Sequence, residues 1–471
     1  MALSKEQLDT LHLHARAGFG LAADKLAAWS SRGRDAQADR LFEESVEYAP
    51  LHVIQDIGRP ENMKEMSDTE RKKWREEKKE QLQQINTAWF NKLVTDKAQL
   101  RERMTFFWHG HFACRTDIPW FAQELNNVLR KHGLGKFKDL VLEVAKSPAM
   151  LQFLNNQQNR KQHPNENFAR EVLELFTIGR GNYTETDIRE AARAFTGWSF
   201  NRETGVFGIR EKAHDDDPKT FMDKTGNWGG EDIINIALER KETAYFITRK
   251  ICRFFMHDSP DEKYVADFAE SFYQSGYDIG ALVKRILKSD LFYAPENRGN
   301  KIKSPVELLA GIIRTTGVQM KKPGTIILIQ RLLGQILFYP PNVAGWPGGK
   351  TWIDNSTLMM RLRLSSLLLS NGVIEVEEKD DMPEDFRMET NTTEPNPPAK
   401  QKIQKRYETL FSWDTFLKTI PADWRKSEMT GFFLRANPAP AVLSLVSDSN
   451  EGAGKKAAIV QLLSLPEFQL T

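Results

Sequence analysis

The chain is short of cysteine, of long apolar runs and of charge imbalance, and each shortage removes a class of protein. It has only two cysteines in 471 residues, too few for a disulfide framework. Cys114 and Cys252 are also too far apart for a CxxC redox or zinc motif, so they read as core thiols. No run approaches the roughly 18 consecutive apolar residues that cross a bilayer, and no transmembrane segment is expected. Sixty-six basic residues against 64 acidic leave a formal charge of +2, which gives no global field for nucleic acid or an anionic membrane. Nucleic acid is therefore not an expected partner. The start, Met1-Ala2-Leu3-Ser4-Lys5-Glu6-Gln7-Leu8-Asp9, lacks the basic and apolar regions of a secretory signal, so the chain as written is expected in the cytoplasm.

What is present is helical periodicity. Residues 140–145, 233–238, 243–256, 281–287, 306–315, 326–337 and 358–369 place apolar side chains at i, i+3 or i+4, while alternating runs of strand length are scarce. The expected fold class is all-α, a multi-helical globular bundle. The densely charged stretch 67–97 carries a thin apolar seam of Trp74, Leu82, Ile85, Trp89, Phe90 and Leu93 and suits one long helix packed along a side. Residues 375–402 hold four prolines, several acids and almost no aliphatics, which makes a flexible linker or loop. The expected division is 1–374 as the main helical domain and 403–471 as a helical C-terminal subdomain or a return to the main core.

Four segments carry chemistry. Phe107-Trp108-His109-Gly110-His111-Phe112 puts two of nine histidines one residue apart among aromatics, and imidazoles so confined invite a metal or a proton-transfer role. In an unbroken α-helix, residues i and i+2 point about 200° apart, so both rings reach one ion only if Gly110 interrupts the helix. The segment from Glu166 to Gly179 reads as a helix with Phe168, Val172, Leu175 and Phe176 inward. Glu171 lies at the edge of that arc and needs a partner. Arg170 can pair with Glu166 or Glu174 on the outer face. After a capped helix from Thr184, with Glu185, Arg189 and Arg193 along one side, comes His214-Asp215-Asp216-Asp217-Pro218-Lys219-Thr220, a histidine beside an acidic loop. Last, Pro341-Asn342-Val343-Ala344-Gly345-Trp346-Pro347-Gly348-Gly349 reads as an ordered, turn-rich aromatic loop that stacks on a sugar, closes a pocket or plugs a bundle end.

Two classes of function fit. One is a metal-assisted hydrolase, with His109, His111, Glu171 and His214 as ligands of a divalent metal, Glu174 or Asp215 as the base, and Trp108, Arg170, Lys219 and Trp346 toward substrate or partner. The other is a non-catalytic binding or assembly protein that holds a protein partner or a glycan with its aromatic loop and charged helix faces. In that case the histidines are buried donors to backbone carbonyls or to Glu171.

Seven motifs in order, Arg16-Ala17-Gly18-Phe19-Gly20, the histidine segment, Glu166-Asn167-Phe168-Ala169-Arg170-Glu171 with Gly179, Tyr183-Thr184-Glu185 to Thr196-Gly197-Trp198, His214-Asp215 with Lys219-Thr220, Lys303-Ser304-Pro305-Val306-Glu307, and the aromatic loop, resemble the bacterial family known as domain of unknown function 1800. The resemblance spans nearly the whole chain. It implies a protein partner encoded nearby and, since many similar chains carry export signals, an exported life as the alternative to the cytoplasm. Similar chains often show a histidine where this one has Phe176, a departure that weakens a ligand role there, whereas His109, His111, Glu171 and His214 match.

Overall fold

The structure is a computed structural model that describes residues 2–58, 65–370, 374–376, 403–405, 409–448 and 452–471. Among these the chain is 61% helical with 21 helices and only 5% strand, far below the roughly 20–25% strand of an average globular protein. The fold is mostly helical, as the periodicity requires. Strands occur as short two-residue and three-residue pairs, such as Trp198–Phe200 against Phe207–Ile209 and Lys219–Phe221 against Lys224–Gly226. Beyond Val376, the segment expected to be flexible lies outside the described residues.

Local signals set the helix ends. The long charged helix runs Asp68–Thr95 and opens on a capping box in which Ser67 and Glu70 exchange side-chain and backbone hydrogen bonds. Ile85, Trp89, Phe90 and Leu93 are fully buried, while Trp74 and Leu82 are only half-buried, so the helix enters the core only along its second half. The helix expected over 326–337 ends earlier: Gly324–Leu332 is followed by Gly334 at φ 86°, a left-handed residue that turns the chain away.

The Glu166–Gly179 segment departs more informatively. Its α-helix covers Glu166–Glu171 and continues as a π-helix over Val172–Thr177. The wider i→i+5 turn rotates the inward face. Leu173 is therefore fully buried and Leu175 only partly so, where a constant 100° per residue had placed Leu175 inside.

One large apolar cluster runs from Leu3 to Phe468. It takes in Phe416, Trp424, Phe432, Leu462 and Phe468 together with Leu13, Trp89 and Phe255, so side chains from 409–448 and 452–471 pack into the same core as the rest. Backbone hydrogen bonds between Lys301 and Thr471 and from Lys303 to Gln469 tie the end of the chain to the Lys303-Ser304-Pro305 turn.

Candidate functional site

The helix Gln99–His111 passes through Gly110 without a break, so His109 and His111 leave it on different sides. His109 is 4% exposed and sits edge-on to Trp89 and Phe338, with Trp346 tilted beside it. Its Nε2 accepts the backbone N–H of Phe338 at 3.1 Å, which engages that nitrogen's lone pair. Burial alone lowers its pKa to about 3, so the ring is neutral.

His111 faces the π-helix. Its Nε2 lies 3.2 Å from the Phe176 carbonyl and its Nδ1 3.0 Å from Lys250 Nζ. A carbonyl can only accept, so Nε2 carries the proton and Nδ1 accepts from the lysine. Lys250 also donates to the Leu175 carbonyl at 3.2 Å and stands over the Phe246 ring. Together His111 and Lys250 satisfy two carbonyls within the π-helical turn. Burial holds His111 well below the usual imidazole range and lowers Lys250 to about 8.

His214 belongs to a third place. Its Nδ1 is 2.7 Å from the Thr196 carbonyl and so must donate. Beside it Asp215 takes a two-point contact from Arg193, Nε to Oδ2 at 2.8 Å and Nη2 to Oδ1 at 3.2 Å. Arg193 also holds Glu190, and Lys219, 1% exposed, donates to the carbonyls of Asp215 and Asp217. Lys219 closes this loop from inside. The Arg193 pairing keeps the Asp215 carboxyl below its usual range despite partial burial, and an acid fixed that way is a poor proton acceptor.

The remaining expected residues scatter similarly. Glu174 meets Arg180 and the Tyr183 hydroxyl instead of Arg170. Arg170 bridges Glu185 and Glu166 at the surface. Glu171 is half-buried, accepts no hydrogen bond within the described structure, and has its pKa raised by burial and by Glu174. Trp108 is fully enclosed, its indole N–H donating to the Gly133 carbonyl at 2.9 Å. Among the described residues no group of three or more His, Cys, Asp or Glu side chains is placed to hold a metal ion. His109, His111, Glu171 and His214 thus do not form one ligand set. The unbroken helix at Gly110 is the physical reason for the first two.

A model of the family described as Protein of unknown function (DUF1800) matches residues 12–470. The chain belongs to that family. No curated protein and no solved structure is significantly similar to it.

Within this family member, the histidine segment and the aromatic loop do meet. Gly345, at φ 79°, lies so close to the Gly110 carbonyl that a Cβ would stand 2.4 Å from that oxygen, so the loop needs glycine there to dock on the helix. A few residues before it, Phe338 holds φ 67° without being glycine. That strain of about 1–3 kcal/mol is held by surrounding contacts, here His109 and the Trp89 ring. Phe338 and Tyr339 then wall a groove of about 710 Å³ together with Trp74, Leu82 and Phe153, and with Arg75, Lys78, Lys79 and Arg115 against one acid among the described lining residues, Asp117. The Arg115 guanidinium lies 4.0 Å over the Tyr339 ring.

Sequence reasoning missed Phe338, Tyr339, Arg115 and Lys250. Lys250 left one signal, a lysine set between the inward residues Ile247 and Ile251. Phe338 left none, since nothing in its neighbours announces a left-handed phenylalanine.

Proposed function

We propose that this chain acts by binding, and that its ligand is an acidic glycan strand seated in the groove walled by Phe338 and Tyr339. The observation that carries this reading is the strained Phe338 backbone, fixed by a neutral buried histidine at the wall where the partly exposed Tyr339 borders a cationic groove. Backbone strain at a cavity wall is a recurrent mark of a site built for a ligand. Its volume lies within the roughly 300–1,000 Å³ usual for ligand sites. Aromatic faces take the apolar face of a sugar ring, and Arg75 and Arg115, both exposed, suit two-point contact with its carboxylates.

The chemistry of the histidines favours binding over metal-assisted hydrolysis. One lone pair of His109 is committed to the Phe338 N–H and that of His111 to Lys250, while a ligating imidazole must present a free lone pair to the metal. Affinity electrophoresis of the full chain through gels containing polygalacturonate, alginate or neutral dextran tests the reading. Retardation by the two acidic polymers, at least about tenfold weaker in Tyr339→Ala and reduced by salt, is expected. Equal mobility in all three gels, or retardation unchanged in Tyr339→Ala, overturns it.

A further inference from the structure

On the other side of the fold, independent of that groove, two motifs without an assigned role come together. The Arg16-Ala17-Gly18-Phe19-Gly20 segment ends the helix Lys5–Arg16, and Lys303-Ser304-Pro305-Val306-Glu307 opens the helix Pro305–Thr316. Between them lies a cavity of about 60 Å³ lined by Gly18, Phe19, Gly20, Arg103, Lys303, Glu307 and Arg435, among others. One water needs about 10–15 Å³ by this kind of measure, so the space suits roughly four to six waters or one compact ion of similar atom count.

Among the described side chains its cations outnumber its acids. Arg103, 1% exposed, Lys303 and Arg435 line it, and the fully buried Arg16 lies near enough to Arg103 to feel its charge. Among the described side chains facing these four cations, Glu307 is the acid within the cavity, and both its oxygens are engaged. One pairs with Arg103 and the other accepts the Ser304 backbone N–H at 2.7 Å. Asp258, the next acid, is held by Lys301 at 2.9 Å.

The donors are also incompletely used. Arg16 Nη2 serves the Asn297 carbonyl, Asn300 Oδ1 and the backbone oxygen of Thr471. Its Nε and Nη1, and Arg103 Nε, are buried without a hydrogen-bond partner. Lys303 donates to the Phe468 carbonyl at 2.7 Å and lies 4.1 Å over the Phe468 ring. Arg435 is held by the carbonyls of Gly431 and Phe432. A buried guanidinium with unsatisfied donors costs free energy unless an anion completes it.

From this geometry we infer that the cavity between the Arg16–Gly20 turn and the Lys303–Glu307 helix start is a binding site for a small tetrahedral oxyanion of the phosphate or sulfate class. The excess of cations supplies attraction, the unpartnered Nε–H of Arg103 in the cavity wall supplies a directed donor, and the volume limits the occupant to a single compact group. Burial already lowers the Lys303 pKa to about 7 and that of Arg16 to about 9, the shift expected where cations crowd without a counter-charge.

The test uses the full chain, dialysed free of oxyanions, melted in inorganic phosphate or sodium chloride at matched ionic strength. Phosphate should raise Tm by about 2–5 °C more than chloride and saturably, as binding to the folded state alone requires. Lys303→Met should lose that increment, Lys303→Arg should keep most of it, and the surface control Lys350→Met should keep all of it. Equilibrium dialysis of the wild-type chain against radiolabelled phosphate should give about one ion per chain at saturation, and this decides the matter if Lys303→Met does not fold. A parallel melt in glycerol 3-phosphate separates free ion from ester: an equal increment assigns the site to the phosphate group of a larger ligand, and no increment assigns it to the free ion. Tm values that coincide in phosphate and chloride, dialysis far below one ion per chain, or an increment retained in Lys303→Met overturns the inference.

Discussion

Two charged clusters in this protein use the same residue types and differ in how completely they are paired. At the His214 loop, Arg193 and Lys219 meet Asp215 and Glu190, two cations against two acids, and the Lys219 ammonium and Asp215 carboxylate reach partners within 3.2 Å. At the cavity, Arg103 pairs with Glu307 while Lys303 and Arg435 reach only carbonyls, and guanidinium nitrogens of Arg103 and the nearby Arg16 remain without partners. A closed cluster has its interactions complete and holds backbone in place. An open one has attraction left over for something else. Completeness of pairing, rather than the presence of charge, separates a structural network from a cluster able to take a further ligand.

The sharpest way to break the comparison is to remove the one acid of the open cluster. Glu307→Gln leaves Arg103 buried beside three other cations and should cost about 3–5 kcal/mol in urea unfolding, the range for breaking a buried pair. The pH dependence has a definite sign. Paired with Arg103 and the Ser304 N–H, Glu307 has its pKa lowered from 4.5 to about 2 in the folded chain. Its contribution is present above pH 4.5 and lost as pH falls toward 2, so wild type should lose stability over that window and Glu307→Gln should lose less. A cost under about 1 kcal/mol would show that the open cluster is relieved by water and needs no ion.

In the closed cluster the same operation should cost less. Asp215→Asn removes the charge from a carboxylate whose side chain is 11% exposed and leaves Arg193, 25% exposed, with Glu190 still paired. About 1.5–3 kcal/mol is expected, the range for hydrogen bonds to charged groups, measured by the same unfolding midpoint. An effect as large as that of Glu307→Gln would mean that the loop depends on Asp215 as much as the core depends on its buried pair.

How far the sequence foretold these sites depends on the range of the interactions that make them. Helical class, the capping boxes at Ser67, Thr184 and Ser304, and the turn at Gly345 come from local chemistry and are legible one segment at a time. The pairing of Arg170 with Glu166 is likewise four residues apart. His109 reaches Phe338 across 229 positions, and His111 reaches Lys250 across 139. No periodicity reports such distances. The π-helical turn at Val172–Thr177 defeated the constant-angle reading for a different reason: its stability rests on His111 and Lys250 capping carbonyls from other helices.

His109 offers an intermediate test of whether a neutral histidine serves as a backbone acceptor. His109→Leu removes the partner of the Phe338 N–H while keeping apolar bulk, and about 1–3 kcal/mol is expected at pH 7 from the stranded donor. Burial lowers the folded pKa from 6.5 to about 3, so the unfolded chain binds a proton that the folded chain refuses. Stability should therefore fall as pH drops from about 6.5 toward 3, and the fall should be shallower in His109→Leu. Parallel acid profiles for the two proteins would show that His109 is charged in the fold and that the Phe338 N–H is held otherwise.

The smallest effect is expected at Glu171, the carboxylate that sequence alone would have given a partner. Burial and the neighbouring Glu174 raise its pKa above the ordinary 4.5, Arg180 and Arg170 only partly offset them, and no hydrogen bond compensates. The sign follows directly. Between pH 4.5 and the raised value the folded chain keeps a proton that the unfolded chain has lost, so ionising Glu171 erodes stability as pH rises. Glu171→Gln removes the charge at nearly constant shape and should change stability at pH 7 by no more than about 0.5 kcal/mol, in the stabilising direction. Compared by urea unfolding at pH 4 and pH 7, the variant should gain on wild type at the higher pH only. A loss above about 1 kcal/mol at pH 7 would mean that Glu171 accepts a hydrogen bond in solution, and would place a third charged cluster beside the two compared here.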